Sequence, residues 1–344
     1  MKHPFLVLIP IAVSCLLLQG SVAIARVRRL NHAVFRKQFP MSSVDFSKGI
    51  MLRFASFALA TFVALSVCVT FVQADEKAAK PTAKPTKAEL LKRFSDEFIE
   101  IAPGGKSRDG SISFPKSFRM GSDQIDSEKP VHEVTLKQKF SIAKYEVPQN
   151  LWEAVTGANP SKWKGPRNSV EMFSWQEARD FCNKLTELLR AEKLLGEDEV
   201  IRLPTEAEWE YCFRAGTTTV YSFGDKATKE GDAGNKASAL DEFGWHTGNA
   251  AGNDPPVGAK KPNAWGLYDV HGYLWEFVED SWHDSYEGAP TDGRAWSEAT
   301  HKKVVVRSGS WKDNHSKLTS SARRAISIAV SDDAIGLRCV KAKK

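Results

Sequence analysis

Residues 262–280 constrain the fold of this chain more than any other stretch. They combine Gly266 and Gly272 with large aromatic side chains and four carboxylates, and their apolar positions follow neither a helical nor an alternating period. The glycines allow turns without a Cβ penalty, while the Trp and Leu side chains between them need a buried environment. The segment therefore predicts a folded but irregular backbone.

Two of these carboxylates suggest a calcium site. Asp269 and Glu276 stand seven residues apart, with a turn between them that offers backbone carbonyls. Oxygen ligands of this kind are the ones that calcium takes in proteins. A spacing of seven residues differs from the closely spaced acidic residues of an EF-hand loop. The spacing alone therefore favours the simpler interpretation that both acids are solvated or paired with arginine.

The tryptophans are concentrated in the same half of the chain. All ten lie between Trp152 and Trp311, and residues 216–300 consist mostly of Gly, Asn, Asp, Pro and Trp. We expect long loops with short strands there, held together by buried indoles. A loop region of this length inside a compact domain indicates that the loops form a functional site or are held together by a bound ion.

Local signals predict regular elements around this loop region. Ser174 with Glu177 and Thr205 with Glu208 are capping boxes that begin helices, and Pro148 suits the first turn of another. Apolar spacing gives the remaining elements. The predicted helices cover residues 89–98, 148–155 and 178–195, and the predicted strands cover residues 118–120, 131–136, 140–147, 304–306, 320–326 and 336–341.

Several blocks of the sequence resemble one known family. Residues 263–277 read NAWGLYDVHGYLWEF, residues 201–211 read IRLPTEAEWEY, residues 306–311 read VRSGSW and residues 336–339 read GLRC. Together with RMGS at 119–122, YEV at 145–147 and GANPS at 157–161, these blocks resemble motifs of the sulfatase-modifying-factor, or formylglycine-generating-enzyme, family. The blocks also follow one another in the family's order, across residues 98–341. The resemblance implies an α+β, formylglycine-generating-enzyme-like fold, a complex C-type-lectin-like arrangement with little regular secondary structure.

The resemblance also places the copper site of the family, and the sequence lacks its thiols. Family enzymes oxidise a sulfatase cysteine to formylglycine with copper held by two cysteines, because thiolates select Cu(I). Asp313 and Leu318 stand at those two positions here, and no cysteine lies between Cys212 and Cys339. We therefore expect neither a copper site nor the usual oxidase activity.

Other groups of the family cleft are retained. Ser310 and Trp275 match active-site positions of the family, and together with Asp313 they are the candidate cleft residues. An equally good interpretation is that Ser310 is only a turn hydroxyl and Trp275 only a core indole. The iron-binding branch of the fold uses a His-x-x-x-His-x-Glu triad, and no histidine pair here has that spacing. We assign no iron site.

Structural features of the family carry over residue by residue. The resemblance implies calcium ligands at Asp269 and Glu276, with the carbonyls of Gly272 and Leu274 beside them. Tyr273 stands where relatives have Asn.

Cysteines carry over in the same way. Cys182 and Cys339 match positions that form a disulfide in relatives, which suits an exported protein. Cys212 has no evident partner, and we expect it to be a free, buried thiol.

The chain before the domain is predicted to contain a signal peptide followed by a linker. Residues 51–74 form a predicted signal peptide, with residues 54–72 apolar and Val72-Gln-Ala74 as cleavage signal. A membrane anchor over residues 54–72 is the alternative. Residues 1–50 then form an extension from a misassigned start codon, residues 75–88 a Lys/Pro/Thr-rich linker, and residues 89–344 the sulfatase-modifying-factor-like domain. We expect export to the periplasm or the cell exterior, or tethering on the outer side of the membrane.

Charge excludes a nucleic-acid partner. The net charge is +6, but residues 1–74 hold eight of the 48 Lys and Arg and one of the 42 Asp and Glu. The remaining chain carries 40 basic and 41 acidic side chains, so it lacks the excess of positive charge that is typical of nucleic-acid-binding domains.

These observations leave three hypotheses for function. The first is a non-oxidase binding or accessory module that recognises a peptide, protein or glycan. The second is an enzyme with altered chemistry in the same cleft, using Asp313, His315 or Cys212. The third is an ordinary formylglycine-generating oxidase acting on sulfatases, which the missing thiols make the least favoured. Fold alone does not decide among them.

Overall fold

A computed structural model describes residues 84–252, 254–300 and 302–344. The predicted extension at 1–50, the signal or anchor at 51–74 and most of the linker at 75–88 lie outside the described residues. Within the described part, no helix is both long enough and apolar enough to cross a membrane.

The helices begin where the sequence supplies caps. In the described residues the α-helices are α1 (Lys87–Asp96), α2 (Gln149–Thr156), α3 (Trp175–Ala191) and α4 (Glu206–Arg214). Thr86, Ser174 and Thr205 each form a complete capping box at the starts of α1, α3 and α4. Both predicted capping boxes are therefore confirmed. Pro148 is the N-cap of α2 rather than its first residue, and Gly157 ends that helix at φ 92°.

The strands form three small sheets in the described part. The first has the order β1-β4-β10-β5, the second pairs β2 with β3, and the third has the order β8-β7-β6-β9. All pairs are antiparallel except β6 with β9, which is parallel. Their bounds are β1 Phe98–Ile101, β2 Ser117–Met120, β3 His132–Thr135, β4 Phe140–Ala143, β5 Glu199–Arg202, β6 Trp275–Ser281, β7 Lys303–Arg307, β8 Arg323–Ser327, β9 Ile335–Leu337 and β10 Val340–Lys343.

Two sequence predictions about strands were wrong. Residues 262–280 are not irregular throughout, because β6 occupies their C-terminal end. This strand is buried on both faces between β7 and β9, so it shows no alternation that a sequence pattern could detect. The single strand predicted at 336–341 is two strands in different sheets, β9 and β10, separated by Arg338 and Cys339.

Buried ion pairs join the sequence blocks that are far apart along the chain. The guanidinium of Arg307, at the end of β7, is fully buried and contacts Glu206 Oε1 at 3.0 Å and Glu210 Oε2 at 2.8 Å. Both glutamates belong to α4. Buried charges need partners of opposite sign. The Arg and Glu residues of these blocks thus fix α4 against β7.

Candidate functional site

A cavity of about 310 Å³ opens among the loops of the domain. Its lining residues lie outside the helices and strands named above, and sequence analysis identified few of them as functional. The concentration of tryptophans was the signal that could have found it. The lining residues are Trp163, Ser169, Glu171, Trp245, Ala250, Ala251, Gly252, Asp254, Pro255, Tyr273, Leu274, Trp311 and Asp333.

Two acids in the lining have only neutral hydrogen-bond donors. Glu171 Oε1 accepts from the backbone N–H of Trp163 at 3.0 Å, while its buried Oε2 has no hydrogen-bond partner. Asp254 accepts from Asn168 Nδ2 at 2.6 Å and from the Tyr273 hydroxyl at 3.2 Å. Burial raises the pKa of Glu171, and the nearby charges of Asp333 and Asp254 act in the same direction.

The third acid, Asp333, is neutralised by two lysines. Lys162 Nζ lies 3.0 Å from Asp333 Oδ2, and Lys312 Nζ contacts Oδ1. Burial alone would raise the pKa of Asp333, but the hydrogen bonds and charges of Lys312 and Lys162 lower it to about 2. Asp333 is therefore a paired anion, unlike Glu171.

The three predicted cleft residues meet at one carboxylate. Asp313 Oδ2 accepts from Trp275 Nε1 at 2.8 Å, from the Ser310 hydroxyl at 2.6 Å and from the Ser310 backbone N–H at 3.0 Å. Trp311, the residue after Ser310, lines the cavity. Leu318, at the second thiol position, is fully buried. The structure thus brings Trp275, Ser310 and Asp313 into contact, and their role as cleft residues stays a prediction.

The predicted calcium ligands are brought together, but not all have free oxygens. Arg338 and the indole of Trp209 occupy both oxygens of Glu276, at 2.7 Å from Oε1 and 2.9 Å from Oε2 respectively. The carbonyl of Gly272 accepts from the backbone N–H of Trp245 at 3.2 Å. Glu276 is thus an arginine-paired acid, the alternative that its spacing favoured.

Asp269 does offer a free oxygen, and so does a residue that sequence analysis missed. Asp269 Oδ2 accepts from Gly258 N–H at 2.7 Å, whereas its Oδ1 is buried without a hydrogen-bond partner. Glu146 Oε1 accepts from Leu274 N–H at 3.2 Å, and its Oε2 is likewise buried without a partner. Burial raises the pKa of Asp269 to about 6, and it raises that of Glu146 well above its ordinary value.

Unpartnered carboxylate oxygens are ligands of the kind that calcium takes. Among the residues described, however, no cluster of three or more His, Cys, Asp or Glu side chains is arranged to hold a metal ion. The local backbone supports the turn that the sequence predicted. Asp269 adopts φ 58° and Gly272 φ 92°, and a Cβ at Gly272 would lie 2.4 Å from the carbonyl oxygen of Trp245.

The cysteines of the described part lie away from the cavity lining. Cys182 and Cys339 are buried free thiols with their Sγ atoms 3.9 Å apart, beyond the roughly 2.05 Å of a disulfide bond. Their contact is the one that the resemblance implied, and the bond itself stays a prediction. Cys212 is free and fully buried, as expected.

Comparison with known proteins identifies the family. The model for the sulfatase-modifying factor enzyme 1-like domain matches residues 101–343. The chain is 25% identical over 273 residues to an inactive C-alpha-formylglycine-generating enzyme 2 from Bos taurus, covering 75% of this chain and 77% of that protein. It is 30% identical over 187 residues to the chaperone protein LppX of Paenibacillus barcinonensis, covering 45% of this chain.

Other relatives match over shorter segments. A formylglycine-generating enzyme of Thermomonospora curvata is 31% identical over 143 residues, which is 40% of this chain. The chain spans 66% of the length of the LppX relative and 41% of that enzyme.

Solved structures show the same fold. PvdO from Pseudomonas aeruginosa matches with a TM-score of 0.57 and 27% identity, covering 65% of this chain and 90% of that one. Treponema denticola variable protein 1 matches with a TM-score of 0.58 and 25% identity, covering 72% and 95%. The chain belongs to the sulfatase-modifying factor enzyme 1-like family, and its α+β fold with modest regular secondary structure is that of formylglycine-generating enzymes.

Proposed function

We propose that this chain is a non-oxidase binding or accessory module of its family, with the cavity as its recognition site for a peptide or a glycan. The observation that carries the proposal is the chemistry at the two thiol positions. Asp313 already accepts three hydrogen bonds, and Leu318 is a fully buried hydrocarbon. Neither is a soft ligand of the kind that Cu(I) requires.

The form of the cavity supports binding. Its volume of about 310 Å³ lies at the small end of ligand pockets, and its lining is aromatic with a few polar groups. Trp163 is 48% exposed, so this lining residue leaves aromatic surface accessible to a ligand. Two relatives have names that fit a role without oxidation, the inactive enzyme and the chaperone.

Altered chemistry in the same cleft has less support. A nucleophilic cysteine must reach its thiolate form near neutral pH. Burial raises the pKa of Cys212 well above its ordinary value, and the residue is fully buried in α4. A buried, protonated thiol outside the cavity lining favours a structural role for Cys212.

We also propose that the module is exported, through the signal at residues 51–74. N-terminal sequencing of the native protein tests this directly. Asp75 as first residue is the expected result, whereas a chain that still begins at Met1 would contradict it.

The decisive experiment for the missing oxidase activity is a peptide assay. The purified protein is loaded with copper and incubated with a cysteine peptide from a sulfatase, and mass spectrometry is used to look for the aldehyde. We expect none. A formylglycine-generating enzyme under identical conditions is the positive control, and copper-dependent aldehyde formation by this chain would refute the proposal.

Binding is measured separately through the indoles that line the cavity. Intrinsic tryptophan fluorescence is recorded while peptides and oligosaccharides are added, with Trp311→Leu to remove a cavity wall and Trp282→Leu as a control outside the lining. A ligand whose signal is lost in the first variant and kept in the second supports the proposal. Saturable binding that survives Trp311→Leu would place recognition elsewhere.

A further inference from the structure

The cavity combines aromatic walls with carboxylates, and the lining residues that the structure describes include no basic side chain. Trp163, Trp245, Trp311 and Tyr273 supply the aromatic groups. Aromatic rings attract cations through the negative potential of their faces, most strongly when the cation loses its water. This lining is chemically complementary to a positive group and not to an anion.

Glu171 supplies the negative charge that such a ligand would neutralise. Its side chain lines the cavity, the residue is 3% exposed, and Oε2 lacks a hydrogen-bond partner. In the described residues neither Glu171 nor Asp254 forms an ion pair with Lys, Arg or His. A buried carboxylate without a positive partner is costly, so a bound cation would remove that cost.

We propose that this cavity binds a methylated ammonium group, with Trp163, Trp245, Trp311 and Tyr273 as its aromatic cage and Glu171 as its counter-charge. The inference deepens the proposed binding function and rests on it. It replaces an open choice of ligands with one chemical class.

Hydrogen-bonding capacity distinguishes a methylated ammonium from a primary one. A primary ammonium has three N–H donors that need acceptors when water is removed. Among the described carboxylates of the lining, Glu171 Oε2 is the oxygen without a hydrogen bond, so a primary ammonium would have to share the oxygens of Asp254 and Asp333 with the donors that already bind them. A quaternary ammonium has no N–H donor. It needs only a nearby negative charge and apolar contacts, both of which this lining supplies.

Three lysines near the cavity do not cancel this preference. Lys162, Lys260 and Lys312 lie over the indoles of Trp163, Trp245 and Trp311, at 4.8, 3.9 and 5.2 Å from the ring centroids, and none is a lining residue. Each indole has a second face. The charges of Lys162 and Lys312 are offset by the two carboxylates of Asp333 and Asp332, and Lys260 donates to the carbonyl of Asp241.

Choline and its neutral isostere 3,3-dimethylbutan-1-ol provide a matched pair of probes. They share size and shape and differ in the charge of the head group. Titrations of the whole protein, followed by tryptophan fluorescence, should show choline binding at least tenfold more tightly. Saturable binding of the two probes with equal affinity would overturn the inference.

Variants then test whether Glu171 supplies the negative charge that attracts the ammonium group. Glu171→Gln should weaken choline binding at least fivefold and leave the isostere unchanged, and Asp254→Asn should weaken it less. Glu187→Gln, an exposed acid on α3, is the matched control and should change nothing. Unfolding temperatures confirm that each variant is folded, and unchanged choline affinity in a folded Glu171→Gln variant would also refute the proposal.

A peptide with trimethyllysine, compared with the same peptide carrying unmodified lysine, identifies the source of the ammonium group. Tighter binding of the methylated peptide than of choline would indicate a modified protein, and the reverse a small molecule. If choline and the methylated peptide both fail while another peptide or a glycan binds, this inference falls and the binding function stands.

Discussion

The indole Nε1 of Trp275 donates a 2.8 Å hydrogen bond to Oδ2 of Asp313. The same oxygen also receives both hydrogen bonds from Ser310. The position at which the resemblance places a copper thiol is thus held by a carboxylate that organises its neighbours.

Asp313 should be important for stability. In Asp313→Ala, three donors from Trp275 and Ser310 lose their acceptor, and the free energy of unfolding should fall by about 2–3 kcal/mol. Asp313→Asn keeps one carbonyl oxygen and should cost roughly half as much. Urea denaturation measures both. The exposed Asp123→Ala should stay within about 0.5 kcal/mol of wild type, and an equally small effect at Asp313 would contradict this account.

The buried pair of Glu276 and Arg338 should behave as a coupled unit. Arg338→Met leaves Glu276 charged and buried, and should lower the free energy of unfolding by about 3–5 kcal/mol. The double variant with Glu276→Gln should cost less than the sum of the single changes, since it leaves no buried charge. Arg108→Met, which breaks the exposed pair with Glu100, is the control and should have little effect. Additive losses in the double variant would argue against coupling.

Acid should remove the contribution of Asp333 to stability. Its pKa is lowered from 3.8 in the unfolded chain to about 2 in the fold, so its ion pairs with Lys162 and Lys312 stabilise the protein above pH 4 and are lost as the pH falls towards 2. Because both lysines are partly exposed, the effect should be only about 1 kcal/mol. Unfolding free energies of wild type and Asp333→Asn should converge between pH 4 and pH 2. A constant difference over that range would show that the charge is not responsible.

We propose that calcium binds through the free oxygens of Asp269 and Glu146. Added calcium should then raise the melting temperature, a chelator should reverse the rise, and Asp269→Asn should abolish it. Glu133→Gln, at an exposed position, is the control. A melting temperature that responds to neither calcium nor chelator would exclude this site.

The thiols of Cys182 and Cys339 should join under oxidising conditions. Intact-mass analysis should show the loss of two hydrogens on oxidation, and reduction should lower the stability by about 3 kcal/mol because the bond closes a long loop. Cys212→Ala should leave both results unchanged. Two titratable thiols at these positions in the oxidised protein would disprove the bond.

The family blocks, the lack of cysteine between Cys212 and Cys339 and the capping boxes at Ser174 and Thr205 could all be predicted from the sequence. Each is local information: Ser174 and Glu177 cap α3 without reference to the rest of the chain. The sequence also brought Asp313, Ser310 and Trp275 forward as candidates, because a motif fixes residue types at fixed spacing.

Which carboxylates lack a partner, and which groups line the cavity, became visible when the distant segments of the chain were seen packed together. Glu276 and Asp269 look alike in sequence, but Arg338 reaches only Glu276, from between β9 and β10, and leaves Asp269 Oδ1 without a partner. Glu171 and Trp245 lie 74 positions apart in loops without a periodic pattern, and they meet in one lining because backbone packing brings those loops together. Pairing and burial depend on residues distant in the chain, so no local pattern could have assigned them.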